Sequence, residues 1–472
     1  MRGAVERGCG ALPVDAIHGV ESRTAPQPPN HSSPGAGPGS RTGTSIHPLQ
    51  PNEEMFMRTV QLTRRLLAVA TLALASQAVL AETQSDPTQD FVKKVNAATG
   101  LEFWGYARSG FYSGHKDQGR LRGGYTLGGD LQKFRLGNEG DHYAEFGLGK
   151  RFDLGDGLKW GVFYMPKIYN GDSGTAQLYA SMTGLFGSDA TWWAGQRYHR
   201  IQDVHIVDNW VMEDGDNFGA GVDDIPMWGL GTLNFALHNA DAFDNQAGNP
   251  NNAKRLNLQW RKIPTNPGGS ITLTGGLISG RFAQGSDGGA VGIVHNQKDF
   301  LLQGLNNSLM LQASTGHASV NGKFFGLDSH GAAQPGARQR RILDVLDFQL
   351  GQLGGQALIG YQTLRPDTGP DVKDFTLGGR MSHGIAKHTK LLLELATTRR
   401  QVEGDASRRL NKATVAVAFA PNSDFWSRPE LRIYYTHANW SRAAQVAAAN
   451  SYGFNGQRNN HTFGVQIEAW WE

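Results

Sequence analysis

The last twelve residues, HTFGVQIEAWWE (461–472), constrain the fold more than any other stretch of this chain. They alternate with period two. Phe463, Val465, Ile467, Ala469 and Trp471 fall on one face, and Thr462, Gly464, Gln466, Glu468 and Trp470 on the other. Successive side chains of a strand point to opposite faces, so this is a strand with one apolar and one polar side. An aromatic-rich alternating strand at a C-terminus fits the closing strand of an outer-membrane β-barrel. There lipid touches the apolar face, a polar lumen the other, and aromatics mark the interfaces. Trp470 falls on the lumen face. A tryptophan turned into a watery pore points to a ligand with an apolar side.

The start of the chain is consistent with export. Residues 57–81 read MRTVQLTRRLLAVATLALASQAVLA. Arg58, Arg64 and Arg65 form a basic leader, Leu66 to Ala75 is an apolar run too short for a membrane span, and Val79-Leu80-Ala81 is a small-residue cleavage site. Residues 57–81 are therefore expected to be a signal peptide, leaving a mature chain from Glu82 of 472 less 81, or 391, residues. Residues 1–56 are rich in Gly, Pro, Ser and Arg and carry no apolar periodicity. They read as a disordered extension or as the product of an upstream start, with Met55 or Met57 the true initiator. Residues 82–100 form a short polar segment, and 101–472 the barrel domain.

Composition bounds the function classes. The single cysteine is Cys9, so the mature chain carries no disulfide and no cysteine metal site. No cofactor or metal is expected. A net charge of +3 gives no argument for nucleic acid. No mature segment has eighteen consecutive apolar residues, so no transmembrane helix is expected. A mean hydropathy of −0.42 suits a barrel, because half of each strand faces water.

Alternation recurs along the chain. In LEFWGYARSGF (101–111), Leu101, Phe103, Gly105, Ala107 and Phe111 oppose Glu102, Trp104, Tyr106, Arg108 and Gly110. RLGNEGDHYAEFGLGKRF (135–152) reads as a second strand, with Ala144, Phe146 and Leu148 apolar and Arg135, Tyr143 and Glu145 opposite. LGDGL (154–158) turns into KWGVFYMP. Further strands are read at 232–239, 254–260, 271–277, 309–313, 390–396, 413–419 and 431–435. Short turns alternate with longer polar loops, as in a barrel that crosses a membrane. On the last of these strands Trp426 shares parity with Arg428, Glu430 and Arg432, opposite Leu431 and Ile433, which turns it inward.

Five segments in order, FWGYARSGF (103–111), KFRLGNEGDHYAEFGLG (133–149), WWAGQRYHRIQDVHIVD (192–208), DFWSRPELRIYYTHANW (424–440) and TFGVQIEAWW (462–471), resemble the maltoporin family. The match is weak between about residues 240 and 390. The resemblance implies an all-β, closed antiparallel transmembrane barrel of eighteen strands, a homotrimer in the outer membrane of a Gram-negative bacterium, and passive diffusion of maltose and maltodextrins. It also implies outer-membrane lipid and a periplasmic sugar-binding protein as partners. Eighteen strands would leave roughly 22 residues for each strand and its connection, against about ten needed to cross.

The resemblance places Tyr106, Tyr143, Trp426 and Trp470 on an aromatic slide, with Arg108, Arg135 and Glu145 on a flanking polar track. His205, Asp208 and Trp210 fall in the third loop, at the constriction. Trp210 stands where the family has tyrosine, which implies a narrower or differently selective pore. A track arginine of the family falls on Ile201, and the adjacent Arg200 points the other way on a regular strand unless a loop turns it back. Gly140 replaces half of a family disulfide. A further slide aromatic aligns to Phe300 or Leu302, and Tyr169 in KIYNGDSG is the candidate second-loop aromatic. The chemistry is direct: the C–H face of a glucosyl ring packs on an aromatic ring while its hydroxyl rim exchanges hydrogen bonds with charged groups.

Other readings stand beside this one. A porin for sucrose or another oligosaccharide is the alternative within the family, and a general ion-conducting porin the alternative outside it. Trp193 and Trp471 read as interface-girdle residues. A barrel enzyme would need a Ser–His or Asp–His arrangement. Asp203, His205 and Asp208 would supply an acid–base set, but no GxSxG serine motif accompanies them, and the chain is expected not to be an enzyme. N-terminal sequencing of outer-membrane material should begin at Glu82. Recovery of residues 1–54 in that material would contradict the export reading.

Overall fold

The computed structural model describes residues 87–114, 125–239, 253–282, 284–327, 335–447 and 457–471. Cys9, the expected signal peptide and its cleavage site, and Glu472 lie outside the described residues. Among these residues are eighteen strands in one antiparallel sheet. The first nine are β1 (Glu102–Gly114), β2 (Tyr143–Asp153), β3 (Lys159–Tyr169), β4 (Asp172–Thr183), β5 (Thr191–Val204), β6 (Asn209–Pro226), β7 (Thr232–Asn239), β8 (Lys254–Pro264) and β9 (Gly269–Ser279). They are followed by β10 (Gly288–Gln297), β11 (Leu305–Thr315), β12 (Ala337–Leu350), β13 (Leu353–Pro366), β14 (Val372–Ala386), β15 (Thr389–Val402), β16 (Arg408–Phe419), β17 (Glu430–Trp440) and β18 (Asn459–Trp471).

Each strand pairs with its neighbour in sequence, and β18 pairs back onto β1, from Gly105 opposite Trp471 to Gly114 opposite Thr462. The terminal strand therefore closes the barrel, as its alternation predicts. A closed sheet leaves no unpaired edge, a requirement where hydrocarbon surrounds the backbone. Among the described residues no helix is long and apolar enough to cross a membrane.

The barrel is apolar outside and polar inside. Along β17, Glu430, Arg432, Tyr434 and Thr436 are buried toward the lumen while Leu431, Ile433 and Tyr435 are exposed on the outer wall. β16 repeats this, with Lys412 and Thr414 in and Val415 and Val417 out. The connections alternate in length. β12 turns into β13 through Gly351 and Gln352 alone and β14 into β15 through Lys387 and His388, whereas residues 115–142 join β1 to β2 and 441–458 join β17 to β18. Short periplasmic turns and long outer loops are the rule for such barrels.

A helix (Pro87–Thr99) precedes β1 within the segment expected to be merely polar. It ends at Gly100 in the left-handed region (φ 63°), whose N–H reaches Asn96 O at 2.8 Å, and Asn96 Oδ1 accepts from Phe103 N. Glycine occupies this cap at no steric cost.

Two stretches leave the wall and fold into the lumen. The β5–β6 hairpin loses its outer partners: β5 pairs with β4 only as far as Gln196, and β6 meets β7 only from Gly219. Residues 125–141, read above in part as strand, instead run across the barrel interior. Thr376 Oγ1 donates to Leu131 O at 2.8 Å, Leu136 N donates to Glu394 Oε1 at 3.1 Å, and Arg341 pairs with Asp130 at 2.5 Å. Together they build an apolar core inside the pore. Leu131 and Phe134 join Ile201, Val204, Ile206, Val207, Val211 and Met212 against Val294, Met310, Leu343, Val345 and Leu358 of the wall. Each such buried side chain contributes about 1.5–3 kcal/mol, enough to hold both stretches in place.

The outer wall gives a direct test. Leu395 is 45% exposed in the middle of β15. Leu395→Arg should destabilise the folded barrel by about 2–4 kcal/mol in equilibrium unfolding from lipid.

Candidate functional site

Inside the barrel, β1, β2, β18, the in-folded residues 125–141 and the tip of the β5–β6 hairpin meet. Tyr106, Arg108, Glu145, Glu468 and Trp470 come from the wall. Strand register sets Tyr106 between Trp470 and Glu145, so all three share the inner face. Here parity reads correctly. Arg135 and Trp426 also reach the site, but not from strands: β2 begins at Tyr143, and β17 at Glu430. Arg135 belongs to the in-folded segment and Trp426 to the β16–β17 turn. Their strand parity was therefore the wrong reason for the right placement.

Asp208 organises the charges. It caps the 3₁₀ turn His205–Val207 in the left-handed region (φ 57°, ψ 48°). Lys133 Nζ lies at 2.8 Å from its carboxylate, Arg108 Nη1 at 3.3 Å and Arg135 Nη1 at 3.5 Å. Arg108 also clamps Asp141 with Nε at 2.9 Å and Nη2 at 2.6 Å, and Glu139 sits between Arg108, Lys133 and Arg135. Glu468 accepts from Tyr106 Oη at 3.0 Å and pairs with Arg135 at 2.8 Å, Arg428 at 3.0 Å and Arg432. Lys133, Glu139, Asp141, Arg428, Arg432 and Glu468 are additions to the candidate residues named from sequence. Glu468, Arg428 and Arg432 carried a signal, inward parity beside recognised aromatics. The other three lie in the dense charge run of 133–141.

Burial and charge fix the protonation states of the loop groups. Burial alone would push the Asp208 carboxyl up, but Arg135, Lys133 and Arg108 outweigh it and hold it well below the usual carboxylate range. Asp141 is likewise raised by burial and lowered, on balance, by the charge and hydrogen bonds of Arg108. His205 is 1% exposed. Burial drives its pKa well down; Glu468 opposes, and Arg135, Arg380 and Arg428 lower it further. The imidazole is therefore neutral. Arg135 Nη1 stands 3.2 Å from Nδ1 and Arg428 Nη2 3.4 Å from Nε2, so both ring nitrogens face guanidinium groups, with Glu468 Oε2 3.7 Å from Nε2. Its partners are guanidinium groups and rings, not a nucleophile.

The aromatics form two runs. Tyr169, Tyr143 and Tyr106 follow one another at ring separations of 6.2 and 6.0 Å. Trp470 and Trp426 lie 6.2 Å apart, with His205 edge-on to both at 5.4 and 5.3 Å. Phe425, missed in the sequence, packs edge-on to Trp426 at 4.8 Å. Open ring faces were expected, and most are covered. Tyr106, Tyr143 and Trp470 are 1%, 3% and 3% exposed. Arg108 lies 5.5 Å from the Tyr143 ring and Arg428 4.0 Å from that of Trp470. Trp426 is half-buried.

The remaining candidates divide. The Tyr143 hydroxyl donates to Glu145 Oε1. Trp210 is buried opposite Asp203 in the hairpin. Tyr169 ends β3 beside the two-residue turn Asn170–Gly171 and is 37% exposed, in register with Tyr143 of its own barrel. Phe300 and Leu302 sit exposed in the β10–β11 turn, away from both runs. Trp471 faces outward and packs on Phe103 and Phe146, as its girdle reading requires. Trp193 does not: it is 4% exposed, donates to Asp223 and lies against His199 and His238. Ile201 is in the lumen core, so no charge replaces the track arginine at that position. Among the described residues no group of His, Cys, Asp and Glu is arranged to hold a metal ion.

The depressed pKa values carry a sign. Asp208, Asp141 and His205 each take up protons less readily when folded, so their contribution to stability is full above the unfolded pKa and lost as pH falls through the folded one. For the carboxylates the unfolded value is about 3.9 and for histidine about 6.5. The charges of these three groups should therefore stay constant from pH 8 to about pH 5, and Asp141→Asn should leave the shape of the reversal-potential curve against pH unchanged in that window. Asp208→Asn leaves Lys133, Arg108 and Arg135 under-compensated and should shift selectivity toward anions.

Among solved structures the chain is similar to OccK3 (OpdO) of Pseudomonas aeruginosa, at 11% identity over 79% of this chain and 96% of that one, with a TM-score of 0.44. It is similar to an anion-selective porin of Comamonas acidovorans, at 12% identity over 78% and 99% with a TM-score of 0.41. It is also similar to outer-membrane expressed OmpT of Vibrio cholerae, at 8% identity over 79% and 97% with a TM-score of 0.39. A family model for LamB porins matches residues 101–471, from the residue before β1 to the last residue of β18. This chain, a multi-pass β-barrel of the outer membrane, belongs to the LamB porin family.

Proposed function

We propose that this porin conducts maltose and maltodextrins by facilitated diffusion, as a homotrimer and without catalysis. The observation that carries the reading is the pairing of the two aromatic runs with a charge-compensated constriction. Tyr169, Tyr143 and Tyr106 lead toward Glu468, which also binds the arginine lying on Trp470. Aromatic and charged groups thus alternate along one path. A neutral sugar offers both surfaces they need, an apolar face and a hydroxyl rim. Each buried cation here has carboxylate or carbonyl partners, so the path presents little net field to an ion, which argues against a general ion-conducting porin. Buried charges persist only when compensated in this way.

Sugar binding must draw the solute in without trapping it. A millimolar site corresponds to about −4 kcal/mol. Ring stacks of about 0.5–1.5 kcal/mol each and charge-assisted hydrogen bonds of about 1.5–3 kcal/mol supply that after ordering costs. Because arginines cover Tyr106, Tyr143 and Trp470, a passing sugar meets guanidinium donors and ring edges instead of a bare ring face.

A second reading, sucrose or another short oligosaccharide, is favoured by one observation: of the slide tryptophans only Trp426 keeps an accessible surface, a platform for one or two sugar rings. Planar-bilayer conductance with a sugar panel tests both. Maltotriose should block ion current at millimolar to tens of millimolar concentration, and longer linear α-glucans more strongly up to a plateau. Trp426→Ala should weaken the block about fivefold, the equivalent of one lost stack of about 1 kcal/mol. Block by sucrose but not by maltotriose would assign the shorter substrate, and block by no sugar would end the slide reading.

A further inference from the structure

We infer that Tyr198 and Arg200 form a second sugar-contacting station in the pore, joined to the Tyr143 end of the aromatic run through Glu145. The inference rests on the sugar-conducting reading above and adds two residues to its path.

The first support is a change in what a strand face means. On the lower part of β5, still paired to β4, Trp192 is 42% exposed on the outer wall. Tyr198 and Arg200 have the same even parity. Above Gln196, however, β5 is paired only with β6, and the hairpin has moved inside the barrel. Both of its faces then lie within the lumen. The odd face is taken up: His199 bonds Glu213 at 2.8 Å, and Ile201 enters the apolar core against the β10–β13 wall. The even face is left turned toward the β1–β3 side. Tyr198 shows this directly, because its hydroxyl donates to Glu145 Oε1 on β2, the same oxygen that accepts from Tyr143.

The second support is the geometry of the pair. Arg200 Cζ lies 3.5 Å from the centroid of the Tyr198 ring, a face-on stack. Tyr198 and Arg200 are each only half-buried. Stacking holds the guanidinium plane flat, so its N–H fork is set in advance for two acceptors at once. Adjacent hydroxyls of a pyranose match that fork, and Glu145, by accepting from the Tyr198 hydroxyl, fixes the ring on which the guanidinium lies. The station therefore suits a neutral sugar with a vicinal diol.

The test uses the full-length porin in planar bilayers, with maltotriose and sucrose as probes. Arg200→Gln should weaken sugar block about fivefold, seen as faster recovery of the current, while heat-modifiable migration stays normal. Arg200→Lys keeps the charge but loses the planar fork. It should restore the ion selectivity of the wild type and not its sugar block. Unchanged block in Arg200→Gln, or full recovery of block in Arg200→Lys, would overturn the inference. If the wild type is blocked by neither sugar, the conducting reading itself has failed, an outcome distinct from either variant result. Should Arg200→Gln not assemble, Arg200→Lys carries the test, since weakened block sustains the station and wild-type block removes it.

Discussion

Everything in this structure depends on the closure of β18 onto β1. Hydrocarbon offers no hydrogen-bond partner to the backbone, so each strand must find one in a neighbour. The ten-pair register from Gly105–Trp471 to Gly114–Thr462 supplies the last set. It also fixes the site. Closure sets Trp470 and Glu468 beside Tyr106 and Arg108, and a slip of β18 by one residue would send Trp470 and Glu468 into lipid.

With the wall closed, the pore is shaped by what folds into it. Residues 125–141 and the β5–β6 hairpin bring their own apolar side chains and bury them against the inner faces of β10–β13. That contact is a core in the ordinary sense, placed within a barrel whose inner face is elsewhere polar. It carries Asp208 and Asp141 to Arg108 of the wall, and His205 to Arg428 of the β16–β17 turn. The constriction is thus assembled from loops but held by packing, which keeps its charges in fixed relation.

Sequence alternation located the outer strands well. β7 is read at its observed bounds, and β15 to β18 are recognised from their apolar outer face. It failed where the lumen core sits. β10 was missed, and so were β12 to β14, within the stretch of weak family resemblance; β4 to β6 were missed ahead of it. In β12, Ile342 faces outward while Leu343 and Val345 face the in-folded segments, so apolar residues occupy both sides and the period-two signal fades. The site shows the same limit. Tyr106, Glu145 and Trp470 were legible because they stay on wall strands. Arg200 points away from the lumen only on a regular wall strand, and the hairpin has left that wall. Trp193 was placed at the interface although its parity is inward.

The departure of the hairpin also decides how deep the barrel can sit. Beyond Leu178, β4 has no ladder partner on its β5 side. Two glutamines take over there: Gln196 Nε2 donates to Thr175 O at 3.2 Å, and Gln177 Oε1 accepts from Tyr198 N at 3.1 Å. The rest of that edge depends on water, because lipid would leave it unpaired. On this flank the hydrocarbon must stop near Leu178. That notch in the rim is a stretch of wall that can face water or protein but not lipid.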